Sequence, residues 1–170
     1  MQATVKLHSL PFDSARTYLF ATLFMLGNII VPQMFHLVPQ GGVTWLPIYF
    51  FTLVGAYKYG WRVGLLTALL SPVVNSFLFG MPAVSALPAI MLKSALLAVM
   101  AAAVAVRFHR ATIAMLAAVV LGYQTLGTLG EWAMKGDFFM ACQDFRIGIP
   151  GMALQVIGGW LFINHVIRRG

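Results

Sequence analysis

The strongest constraint on this chain is that it divides into six apolar stretches joined by short polar segments. They run from about Thr17 to Gln33, Val43 to Tyr57, Val63 to Phe79, Val84 to Val106, Ala111 to Trp132 and Ile147 to Ile167. A helix rises about 1.5 Å per residue, so crossing a hydrocarbon layer of about 30 Å takes roughly 20 residues. Of the 170 residues 61% are hydrophobic and 9% charged, against about 25% charged in a soluble domain. A chain this short has too little interior to hide that much apolar surface from water. The expectation is an all-α integral membrane protein, a single domain over residues 1–170 forming a six-transmembrane-helix bundle.

The joints are punctuated by proline, glycine and charge. Pro32, His36, Pro39, Gly41 and Gly42 follow the first stretch, and Lys58-Tyr59-Gly60-Trp61-Arg62 separates the second from the third. Gly80 and Pro82 end the third, and Arg107, His109 and Arg110 end the fourth. A polar segment from Lys135 to Arg146 precedes the last. Eight of the eleven basic residues fall on one side of this layout: Lys6, Arg16, Lys58, Arg62, Arg107, Arg110, Arg168 and Arg169. Lys135 and Arg146 fall on the other, and Lys93 lies inside a span. By the positive-inside rule the eight face the cytoplasm, which places the N- and C-termini there.

A net charge of +7 would point to nucleic acid in a soluble protein. Here the basic residues sit at helix ends, where they set orientation and meet anionic headgroups, so membrane lipid is the expected partner and nucleic acid is not. No short apolar run followed by small residues opens the chain, so no cleavable signal peptide is expected. The segment from Gln2 to Ser14 reads as a tail or a short amphipathic piece on the inner leaflet. Cys142, the single cysteine, has no partner for a disulfide or a CxxC zinc or redox site.

Lys93 carries the most information. A basic side chain near the centre of a span costs about 2.5–3.5 kcal/mol to insert and needs a wet cavity or a partner. Two readings stand: a functional cavity, or a lysine that snorkels or pairs internally with Glu131. If Lys93 faces a solvated chamber, Lys93→Met should spare the fold. Asn28, Gln33, Asn75, Gln124 and Gln155 are the other polar side chains in the spans. Each alone reads as interhelical hydrogen bonding, and together with Lys93 they read as a polar chamber. Trp45, Tyr49, Tyr123 and Trp132 fall near the outer interface, where an aromatic belt accounts for them. Trp132 beside Glu131 opens the longest outer segment and is the best placed of the four to grip a flat ligand. Gly55, Gly60, Gly64 and Ala68, and Ala98, Ala101, Ala102 and Ala105, mark faces where helix backbones approach closely. No GxSG, HExxH or paired-aspartate motif is present, so neither catalytic nor metal-binding residues are expected, and no enzyme.

Three stretches resemble the substrate-binding S components of energy-coupling factor (ECF) vitamin transporters. Val54-Gly55-Ala56-Tyr57-Lys58-Tyr59-Gly60-Trp61-Arg62-Val63-Gly64-Leu65-Leu66 is similar to that family's junction between second and third helices. Leu87-Pro88 with Lys93-Ser94-Ala95-Leu96-Leu97 resembles the start of its fourth helix, and Gly148-Ile149-Pro150-Gly151 with Leu154-Gln155 the start of its sixth. The resemblance in layout covers the whole chain. It implies a multi-pass protein of the bacterial cytoplasmic (inner) membrane with an outward-facing pocket capped by loops. The ligand would be a water-soluble vitamin or related micronutrient, and the bundle would topple to carry it. Partners would be a transmembrane coupling subunit and two ATPases; this chain carries no P-loop of its own. The family's AxxxA pattern on the first helix is absent, since Met25 follows Ala21 at that spacing and Leu19 follows Ala15. A solitary component is the alternative.

On that resemblance the expected substrate site is Lys93 against an anionic or carbonyl group, with Trp132, Trp45 and Tyr123 as aromatic walls. Asn75, Gln124 and Gln33 would satisfy ring or amide atoms, and Glu131 and His36 complete the set. Biotin, pantothenate, folate, flavin, thiamin, pyridoxine, a queuosine precursor and cobalamin all fit this reading. For a corrinoid, His36 or Cys142 would offer a ligand to cobalt; no resident cofactor is expected. The rival is a non-catalytic membrane scaffold like the rod-shape determinants, which predicts no ligand and Lys93 paired to Glu131 or facing a partner protein.

Overall fold

The computed structural model describes residues 9–166. The basic residues Lys6, Arg168 and Arg169, most of the tail from Gln2 to Ser14, and the end of the last stretch at Ile167 lie outside that range. Among the described residues there is no strand. The helices are α1 (Ala15–Phe35), α2 (Gly41–Trp45), α3 (Phe50–Tyr59), α4 (Trp61–Phe79), α5 (Leu87–Phe108), α6 (Ile113–Lys135), α7 (Phe138–Ala141), α8 (Gln143–Ile147) and α9 (Ile149–Leu161). A π-helical turn, Phe162–Val166, continues α9.

Five segments are long and apolar enough to cross a membrane: Ala15–Phe35, Trp61–Phe79, Val84–Phe108, Ile113–Lys135 and Ile149–Val166. The stretch expected as a second span is not one continuous helix. Proline lacks an N–H and pushes the residue before it out of right-handed helix, and at Pro47 the chain breaks. Leu46 takes φ 46° and ψ 44°, a 3-10 turn Pro47–Tyr49 follows, and α3 has only 10 residues. At 1.5 Å per residue α3 is about 15 Å long, half a bilayer core. It is apolar because protein surrounds it. Every residue from Thr52 to Tyr59 is buried, and α3 packs on α1, α4, α5 and α9.

Small residues let that central helix fit. A β-carbon at Gly64 would collide with Ala56 on α3 and press on Ala98 on α5. Ala56, Ala68, Ala98, Ala101 and Ala105 are at most 1% exposed. Large side chains point the other way: Leu19, Leu23, Leu26, Ile30 and Met34 form an exposed apolar stripe on α1, as a lipid-facing helix requires.

α1 runs on through Pro32 to Phe35 instead of stopping at the proline. A proline inside a helix leaves the carbonyl four residues earlier without its donor. That carbonyl belongs to Asn28, and the Asn75 side chain on α4 donates to it at 2.8 Å. Asn28 in turn ties three helices. Its Oδ1 accepts from Phe51 N at 3.1 Å, and its Nδ2 donates to Thr52 Oγ1 at 3.0 Å and Ser71 Oγ at 3.4 Å. At the far end of the bundle, the Tyr57 hydroxyl donates to Arg110 O and Asn164 Nδ2 donates to Ala111 O at 3.0 Å. The α5–α6 turn is thereby held against α3 and the π-helical turn that continues α9.

Candidate functional site

The polar segment after α6 folds into two short helices. Gly136, at φ 72°, ends α6 in a left-handed turn, and Asp137 Oδ1 caps α7 by accepting from Met140 N at 3.0 Å. The turn from α7 into α8 brings Asp144 back over the bundle. There it meets Lys93, the seventh residue of α5. Lys93 Nζ lies 2.7 Å from Asp144 Oδ2 and 2.6 Å from Glu131 Oε2, and Lys135 Nζ lies 2.6 Å from Glu131 Oε1.

Two lysines and two carboxylates thus form one neutral quartet. Lys93 is 3% exposed and Glu131 8%, so this pair is held away from water and each charge depends on the other, while Asp144 is half-buried and Lys135 exposed. Glu131 and Lys135 are one helical turn apart on α6. Lys93 reaches them because Gly127 presents no side chain: a β-carbon there would overlap Lys93 Cγ.

The quartet lines a cavity of about 220 Å³ whose other walls include Leu46, Tyr49, Ile90 and Gln143. A second cavity of about 360 Å³ shares Gly42, Val43, Ile48, Pro82 and Ile90 with the first and extends to Pro32, His36 and Asn75. Adjoining clefts of this size, apolar with a few converging polar groups, are where small ligands are usually held. Behind Tyr49, which is 2% exposed, the ring of Tyr123 lies 5.5 Å away, and its hydroxyl donates to Gln155 Oε1 at 2.9 Å.

The expected site residues therefore separate into groups. Lys93 and Glu131 line the smaller cavity, and Asn75 and the exposed His36 line the larger one. Gln33 donates to Asn75 Oδ1 at 3.3 Å and serves that network instead of lining a cavity. Tyr123 and Gln124 are fully buried behind the cavities. Trp45 and Trp132 are 36% and 44% exposed, against Phe35 and Phe138 respectively, and line neither cavity. Their exposed rings suit the interfacial belt. Tyr49, grouped by sequence with that belt, is a cavity wall. The polar set that sequence groups with Lys93 is divided: Asn28, Gln33 and Asn75 form one network, Gln155 pairs with Tyr123, and Lys93 joins the charges.

Asp144, the second partner of Lys93, and Lys135, which pairs with Glu131, are the residues that sequence reasoning missed. A signal existed: three of the four acidic residues, Glu131, Asp137 and Asp144, gather at one end of the bundle. Among the described residues no group of His, Cys, Asp and Glu is arranged to hold a metal ion.

Fold and composition define the class: an all-α, multi-pass membrane protein. No protein-family model, curated protein or solved structure matches the chain.

Proposed function

We propose that this chain is the substrate-binding membrane subunit for uptake of a water-soluble vitamin or related micronutrient, of the energy-coupling-factor S-component kind. The observation that carries this reading is the charge quartet, built on the buried Lys93 and Glu131, set against two adjoining cavities. Keeping a lysine and a carboxylate buried in an apolar bundle is costly, and such groups by default mark a site. The quartet lies at the end of the bundle opposite Lys58, Arg62, Arg107 and Arg110. On the positive-inside rule that end is extracellular, both termini are cytoplasmic, and the broken segment from α2 to α3 counts as a sixth crossing. The ligand enters from outside beneath α7 and α8, and toppling of the bundle carries it inward. A coupling subunit with two ATPases drives the cycle, or the chain works alone.

The scaffold reading keeps one observation in its favour, since it anticipates Lys93 paired with Glu131. It gives no reason for the cavities beside that pair, or for Asp144 returning from a separate loop to join it.

Mass spectrometry of small molecules released from protein purified in mild detergent tests the proposal. The expected result is one vitamin-like compound at close to one per chain. Protein that releases nothing but lipid and detergent, even after growth in vitamin-rich medium, supports the scaffold.

A further inference from the structure

Another cavity, of about 820 Å³, lies at the end of the bundle opposite the quartet. It is a groove between α4 and α5. Trp61 and Leu65 line one side, Val99, Ala103 and Val106 the other, and Arg107 and His109 lie at its basic end. Trp61, Val99, Ala103 and Val106 are exposed, so the groove opens on the face that the bundle turns to lipid. It shares no residue with the two cavities beside the quartet.

The groove has the depth of one leaflet. From Val99 to Arg107 is eight residues along α5, about 12 Å at the helical rise. Half of a bilayer's hydrocarbon core is about 15 Å. An occupant must therefore be apolar over most of a leaflet and polar at one end. That describes a lipid; a transmembrane helix would run on past Val99 across the whole core.

The charge at that end selects the headgroup. Among the described residues, Arg16, Lys58, Arg62, Arg107 and Arg110 gather there against one carboxylate, Asp13. Arg62 is committed to the protein. Its Nη1 donates to Leu10 O at 3.4 Å, and its guanidinium lies 5.3 and 5.2 Å from the ring centroids of Phe12 and Trp61. Arg107 is exposed, with its guanidinium 5.8 Å from the ring centroid of Phe108. Among the described residues no carboxylate is within ion-pair distance of it. The arginine fork matches the oxygens of a phosphate, and the imidazole of His109 supplies an N–H in either protonation state. Basic pockets between membrane helices on the cytoplasmic side are where anionic headgroups are held.

We propose that this groove binds one anionic phospholipid of the cytoplasmic leaflet, with an acyl chain along Leu65, Val99 and Ala103 and the phosphate at Arg107 and His109. The site is independent of the vitamin reading and stands or falls without it.

The test uses purified full-length protein stripped of lipid in mild detergent, with phosphatidylglycerol and phosphatidylcholine of identical acyl chains as probes. Native mass spectrometry reads lipid bound per chain through a titration, and the lipid-free melting temperature reads the fold. Wild type is compared with Arg107→Gln, with Ala103→Phe, which fills the groove, and with Arg16→Gln, which removes a charge at the same end outside it. Val106→Trp fills the groove from a second exposed position and replaces Ala103→Phe if that variant melts early. The expected result is one phosphatidylglycerol per wild-type chain, bound more tightly than phosphatidylcholine by about fivefold or more. Arg107→Gln should weaken phosphatidylglycerol by about fivefold and erode that preference. The groove-filling variant should lose most of the binding, and Arg16→Gln should keep it. Equal binding of the two lipids, or an equal loss in Arg16→Gln and Arg107→Gln, overturns the headgroup site. Undiminished binding in the groove-filling variant overturns the seat of the acyl chain. A wild-type dimer or heavier complex that binds no lipid and that groove filling dissociates gives the groove to a protein, and overturns the proposal.

Discussion

Lys93 lies across Gly127, its stem occupying the space that a side chain on α6 would fill. That contact lets a buried cation on α5 reach Glu131 on α6 and Asp144 on the loop beyond. Gly127→Ala should therefore displace the lysine and strain the helix pair, lowering stability by about 1–3 kcal/mol. Thermal unfolding in detergent checks it. An unchanged melting temperature would mean the stem has another route.

The pairing of Lys93 removes the condition, an open solvated chamber, on which Lys93→Met was expected to spare the fold. A lysine alone in a wet chamber would be removed without harm, whereas here Lys93→Met leaves Asp144 and Glu131 facing each other, with Lys135 on Glu131 alone. Breaking a buried pair by deleting one partner costs about 3–5 kcal/mol. Adding Asp144→Asn to Lys93→Met should recover part of that loss, because the uncompensated charge goes with it. Thermal melts of wild type, single and double variants decide the matter; a single variant as stable as wild type would contradict the quartet.

Pro32 and Asn75 form a compensating pair across α1 and α4. Asn75→Leu should cost about 1–3 kcal/mol by leaving the Asn28 carbonyl without a donor. In a Pro32→Ala background residue 32 regains its N–H and can bond that carbonyl within the helix, so the same substitution should cost less. A double-mutant cycle on melting data measures the coupling. Strict additivity would show that the two residues act independently.

How far the sequence was legible follows from what each signal measures. The long apolar runs of α1, α4, α5, α6 and α9 stand out because lipid and hydropathy ask the same thing of them. The run from Val43 to Tyr57 failed as a continuous span because apolar composition does not tell burial in lipid from burial in protein. Pro47 was the warning, and α3 is surrounded by its neighbours. Lys93 was recognisable as exceptional by its depth, and one of its two readings already named Glu131 as its partner. Asp144 was not recognisable as the second partner, since a contact across 51 positions depends on how a loop turns back. Trp45 and Trp132 lie at the end of the bundle that carries the quartet, but line neither cavity; which way a ring faces is a matter of packing.

Orientation has a direct check. Val38 lies in the exposed turn after α1, on the side that the basic residues assign to the exterior. In a Cys142→Ala background, Val38→Cys should react with an impermeant maleimide in intact cells. Reaction only after permeabilisation would invert the topology.

The central claim is that the paired cavities hold a small molecule. Ile90 lines both of them and carries no charge, so Ile90→Trp fills the space and leaves the quartet alone. The decisive measurement is the yield of released small molecule per chain from wild type and Ile90→Trp, purified side by side. The account predicts close to one per chain from wild type and nearly none from the variant, at similar melting temperatures. Equal yields from both proteins, or none from wild type, would contradict it.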